Sequence, residues 1–67
     1  MNQKDKKIII ALADNGMGIG RAARALYMSY NNVTHHISRI EQETGLNPRD
    51  FHDLCKLYAM ATEEVEE

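Results

Sequence analysis

Apolar residues along the chain fall into four groups, separated by polar or glycine-containing breaks. From about Lys6 to Asp14 the pattern is apolar almost all round: Ile8, Ile9, Ile10, Ala11, Leu12 and Ala13. Periodicity cannot separate a strand from a buried helix in so short a run. The Ala and Leu content, the polar flanks and the stop at Asn15-Gly16 predict a helix with a glycine cap. Met1 to Asp5 is polar and expected to fray. A second helix is predicted from Ile19 or Gly20 to about Leu26, with Ala22 and Ala23 four and three positions before Leu26. Residues 27–29 form a break, and Ser29 is a good N-cap for a third helix. In that helix Val33, Ile37 and Ile40 recur at i, i+4 and i+7, a narrow core stripe. At about 100° per residue, Asn31, His35, Ser38 and Gln42 lie opposite that stripe. Thr34 flanks one side of this polar face, and Asn32 and Arg39 flank the other. Thr44-Gly45 supplies the stop. "LNPRD" is a loop with Pro48 near the first turn of a fourth helix, which presents Phe51, Leu54, Cys55, Tyr58 and Ala61 and decays into "EEVEE". The pattern predicts an all-α fold: one small domain of about four helices over 1–67, with its core at about 6–61 and an acidic tail at about 62–67.

One stretch invites a different reading. "KKIIIALADNGMGIGRAARAL" resembles the opening of a short-chain dehydrogenase, in which an apolar strand, a glycine loop and a helix hold a pyrophosphate. That fold needs several strand–helix units, and this chain has 67 residues. The glycines should also lead through a helix to a second strand ending in an acidic residue. Here the glycines lead into "SYNNVTHHISRIEQETG", with helical period. No cofactor is expected. Gly16, Gly18 and Gly20 are read instead as ending the first helix and turning the chain into the second.

A short helix, a tight turn and a longer helix with a polar face make the helix-turn-helix arrangement. The register agrees: small Ala23 is followed by apolar Leu26, Met28, Val33 and Ile37 at three, five, ten and fourteen positions. The departure is Tyr27, where many such motifs place glycine for a left-handed turn.

Charge refines this picture. The overall charge is −2, which on its face argues against nucleic acid. Residues 1–49, however, carry seven Lys/Arg and four Asp/Glu, net +3, while residues 50–67 carry one Lys and six acids, net −5. Such segregation marks a polyanion-facing end and a solvating tail. Apolar residues at 43% and charged residues at 27% suit a soluble globular domain. One cysteine excludes an internal disulfide, and there is no signal-peptide pattern or membrane-length apolar run, so a cytoplasmic location is expected. His35, His36, His52 and Cys55 match no standard zinc spacing, and Cys55 is read as core. No nucleophile–base–orienter set is present, so neither a metal nor an enzyme is expected.

"AARALYMSYNNVTHHISRIEQETGLNPRDFHDLCKLYAMA" resembles the C-terminal helix-turn-helix domain of PucR/CdaR-type bacterial transcription regulators, and more distantly the Fis-type motif. The resemblance covers about residues 6–61 and is most specific at Arg39-Ile40-Glu41 and from Thr44 to Pro48. It implies sequence-specific binding of double-stranded DNA. Asn31 matches the family's asparagine and Arg39 a family arginine. Tyr30 stands where the family has arginine and Asn32 where it has threonine, and Thr34 and His36 replace further basic residues. Weaker phosphate contact and a changed base preference are implied. Family members carry large sensory regions ahead of this domain; none is seen here, so effector control is expected to be lost or supplied by a partner.

Asparagine can bond adenine N6 and N7 together, and base contacts concentrate near the start of a recognition helix. Asn31, Thr34, His35 and Ser38 are the candidates for base edges. Arg21, Arg24 and Arg39, with Lys6 and Lys7, are candidates for phosphates. Ser29, Tyr30 and Asn32 at the helix start complete the DNA-facing set. A homodimer through helices one and four is expected from apolar residues left over at Ile10, Leu57 and Met60, since paired modules about 34 Å apart fit successive major grooves. The rival reading is a protein-interaction module that kept the scaffold and lost DNA binding.

Overall fold

A computed structural model describes residues 1–63; the acidic end at 64–67 lies outside them. Four helices occur in order: α1 (Gln3–Asp14), α2 (Ile19–Ala25), α3 (Tyr30–Thr44) and α4 (Phe51–Glu63). Helix α1 packs against the other three, and α2 packs against α3. The all-α expectation holds, and among the described residues there is no strand.

The α1 start differs from the frayed end expected over Met1 to Asp5. Helix α1 begins at Gln3, because Asn2 and Asp5 form a reciprocal capping box. The Asn2 side chain accepts from the Asp5 amide at 2.8 Å, and the Asp5 carboxylate accepts from the Asn2 amide at 3.4 Å. Two orphan amides of the first turn are thereby satisfied. At the other end the Met17 amide reaches back to the Leu12 carbonyl at 2.8 Å, with Gly16 left-handed at φ 63°. An added Cβ at Gly18 would lie 3.0 Å from the guanidinium of Arg21, the far end of an exposed side chain that can move aside. Gly20, by contrast, lies within α2 beside open space and takes no part in the turn.

The α2–α3 turn keeps its left-handed residue without glycine. Tyr27 has φ 57°. Its amide bonds the Arg24 carbonyl at 3.2 Å, and the Met28 amide bonds the Ala23 carbonyl at 2.9 Å. This pair is the Schellman closure of a helix C-terminus. Helix α3 ends at Gly45, left-handed at φ 76°, where the Thr44 hydroxyl also donates to the Ile40 carbonyl at 2.7 Å.

The core consists of Ile8, Ile9, Ala11 and Leu12 from α1, Ala22 and Ala23 from α2, Val33, Ile37 and Ile40 from α3, and Leu54, Leu57 and Ala61 from α4. The α3 stripe is as its sequence predicts. Helix α4 is rotated from its predicted face: Leu57 is buried, whereas Phe51 and Cys55 are exposed. Cys55 is therefore not core. Ile10 is half-buried against the core rather than left over on the surface. Pro48 is buried in a turn three residues ahead of α4, and Asp50 accepts from the Asp53 amide at 3.0 Å to cap that helix. No helix among the described residues is long and apolar enough to cross a membrane.

Candidate nucleic-acid interface

Helix α3 is built so that one side is anchored and the other is left to solvent. Ser29 caps it, its hydroxyl accepting from the Asn32 amide at 3.1 Å in an extended backbone. Val33, Ile37 and Ile40 anchor the inner side with no exposed surface. On the outer side Tyr30, Asn31, Asn32, His35, Ser38 and Gln42 are exposed. The side chains of Asn31, Asn32 and Ser38 make no hydrogen bond to any described residue, so their donors and acceptors are directed to solvent. Thr34 differs: it is half-buried, and its hydroxyl donates to the Asn31 carbonyl at 2.9 Å within the helix. The His35 ring meets the His36 ring edge-on at 6.3 Å.

Helix α2 supplies two exposed arginines. Arg21 donates through Nε to the Asn15 carbonyl at 3.2 Å, which holds its guanidinium over the α1–α2 turn. Arg24 is exposed in the last turn of α2.

Arg39 is placed differently from Arg21 and Arg24. Its Nη2 donates to Asp5 Oδ1 at 2.7 Å, and its Nε lies 3.9 Å from Glu43. His36 Nδ1 lies 3.3 Å from the same Asp5 oxygen and 3.1 Å from Arg39 Nη2. The Asp5 side chain is 1% exposed, while that of Arg39 is 36% exposed. Burial pushes the Asp5 carboxyl up. Hydrogen bonds from Arg39, the Asn2 amide and His36, with the charge of Arg39, outweigh it and hold the carboxyl below its ordinary value. Sequence reasoning missed Asp5 altogether. The available signal was Asn2 and Asp5 at capping-box spacing ahead of an apolar run. Nothing local indicated the partner 34 residues away.

Phe51, Cys55 and Tyr58 of α4, with Ala13 and Met17, line an open apolar cleft beside the α1–α2 turn. It lies on α4 rather than on the polar face of α3.

The family model of the PucR C-terminal helix-turn-helix domain matches residues 7–62. Comparisons with curated proteins and with solved structures found no match.

Proposed function

Because the chain belongs to the family of PucR C-terminal helix-turn-helix domains, we propose that it binds double-stranded DNA sequence-specifically and regulates transcription by binding rather than by catalysis. One observation carries the base-reading part: the first turns of α3 expose Asn31, Asn32 and Ser38 with their polar groups unsatisfied by described residues. A helix of this kind enters the major groove with its N-terminal residues at the base edges. In this reading Asn31 and His35 face bases, with Ser38 further along, and Ser29, Tyr30, Asn32 and Thr34 border them. Arg21 and Arg24 meet phosphates and fix the register. The protein acts in the cytoplasm, where bacterial DNA lies.

The test combines specificity with salt. A preferred site is first selected from a random duplex pool. Asn31→Ala is then expected to lose about 1–3 kcal/mol on that site and little on mixed-sequence duplex. Equal losses on both would make Asn31 a backbone contact.

A second reading has its own observation. Helix α3 contains one Lys or Arg, Arg39, and that residue is paired with Asp5. An interaction module that no longer binds DNA would tolerate this. Affinity for duplex that stays flat as salt rises, or no affinity at low salt, would favour the module, since phosphate-based binding weakens steeply with salt.

A further inference from the structure

The Asp5 carboxylate joins two elements. It caps the start of α1 and grips Arg39 and His36 in the middle of α3. It also lies outside the residues matched by the family model, which begin at 7. Resting on the DNA-binding reading, we propose that Asp5 is a positioning residue that withholds Arg39 from the phosphate backbone, so that α3 meets DNA with no free permanent cation.

Three observations support this. Arg39 is the one Lys or Arg in α3, so whatever holds it sets the permanent positive charge of that helix. Its Nη2 is committed to Asp5 at 2.7 Å, and its Nε faces Glu43 at 3.9 Å. The formal charges of Arg39, Asp5 and Glu43 sum to −1, which offsets the attraction of Arg39 for a phosphate. Finally, Asp5 is 1% exposed. Turning Arg39 outward would take from the buried Asp5 carboxylate its one permanently charged partner among the described residues, leaving the Asn2 amide and His36, and removing one member of a buried ion pair is costly. Phosphate contact is thereby left to Arg21 and Arg24 on α2, while α3 offers mainly neutral donors and acceptors.

Salt dependence reads this out, because a brace that only supports the fold does not change the number of phosphates neutralised. Binding of the whole protein to mixed-sequence duplex is measured against salt for wild type, Asp5→Asn and Asp5→Asn/Arg39→Gln. Circular dichroism verifies that each is folded. Asp5→Asn is expected to bind more tightly, with its log–log slope steeper by about 0.9, the value for one added phosphate contact. The double variant is expected to return to the wild-type slope. An unchanged slope in Asp5→Asn overturns the proposal. So does a double variant shallower than wild type, since Arg39 would then already neutralise a phosphate. If Asp5→Asn does not fold, the double variant, which leaves no buried charge unpaired, decides alone: a slope equal to wild type supports the proposal and a shallower one overturns it. Binding by Asp5→Asn with none by wild type supports it in its strongest form. Duplex binding absent from wild type and variants alike sinks the DNA-binding reading together with this one, whereas binding with unchanged slopes sinks this one alone.

Discussion

Tyr27 is the residue at which local chemistry and global structure disagree. Its side chain is 96% exposed, yet its backbone is left-handed at φ 57°. That conformation costs a side-chain-bearing residue about 1–2 kcal/mol, and glycine there gives back about 0.5–1 kcal/mol in unfolded-state entropy. Tyr27→Gly should therefore stabilise the protein by about 0.5–1 kcal/mol, seen as a rise of several degrees in Tm. A lower Tm would show that the exposed ring makes a stabilising contact. Asp5 makes the stability depend on pH. Its carboxyl titrates below its unfolded-state value because Arg39, the Asn2 amide and His36 outweigh the effect of burial. Its contribution is complete above about pH 4 and is lost as the pH falls through the lowered value. Urea unfolding at about pH 6 and at successively lower pH checks this: the stability gap between wild type and Asp5→Asn should narrow toward the acid end. A gap that persists there would mean the ionised form is not what stabilises. Ser29 is legible as a cap because its partner is three residues away. Asp5 reads as part of a frayed end because its main partners lie in another helix.

At the scale of elements, α3 and α4 differ in how far their sequences specify them. Helix α3 has one narrow apolar stripe and an uninterrupted polar face, so only one orientation buries its isoleucines. Helix α4 has two overlapping apolar stripes: Phe51, Leu54, Cys55, Tyr58 and Ala61, and Leu54, Leu57 and Ala61. The first has more apolar residues and is the one its sequence favours; the second is buried, because packing on α1 admits Leu57. The contact of α2 with its neighbours depends on small residues, Ala22 and Ala23. Ala23 is 4% exposed, and its carbonyl closes the turn by accepting from Met28. Ala23→Leu should overpack this contact and destabilise by about 1–3 kcal/mol. A denaturation midpoint equal to wild type would mean that the α2–α3 register tolerates a space not visible in the packing.

At the scale of the molecule, the surplus apolar surface coincides in part with that expected: Met60 is exposed on α4, whereas Ile10 and Leu57 are not left over. Ile10 and Leu57 are accounted for within the fold, but Phe51 is 61% exposed, with Tyr58 and Met60 at 37% and 39%. All three belong to α4, and Phe51 and Tyr58 line the open cleft beside the α1–α2 turn. Exposed aromatic side chains gathered at one cleft are a place where a partner can seat. We propose that it joins two copies through α4, placing two α3 helices on one duplex; the part expected of helix one reduces to Ala13 near its end. Sedimentation at micromolar concentration should give a dimer that Phe51→Glu reduces to the monomer. A wild-type monomer there, unchanged by Phe51→Glu, would sink the dimer at that concentration.

Element number, the caps at Ser29 and Gly45, and the buried stripe and polar face of α3 were determined by the sequence alone. All of these rest on residues within a few positions of each other, where helical periodicity and side-chain-to-backbone bonding act. The helix-turn-helix spacing was legible for the same reason. Tertiary structure decided which stripe of α4 is buried and that Arg39 is held by a buried Asp5. Each of these depends on a neighbour brought in by packing. Burial then removes the water that would otherwise let either face of α4 or an unpaired Asp5 carboxylate persist.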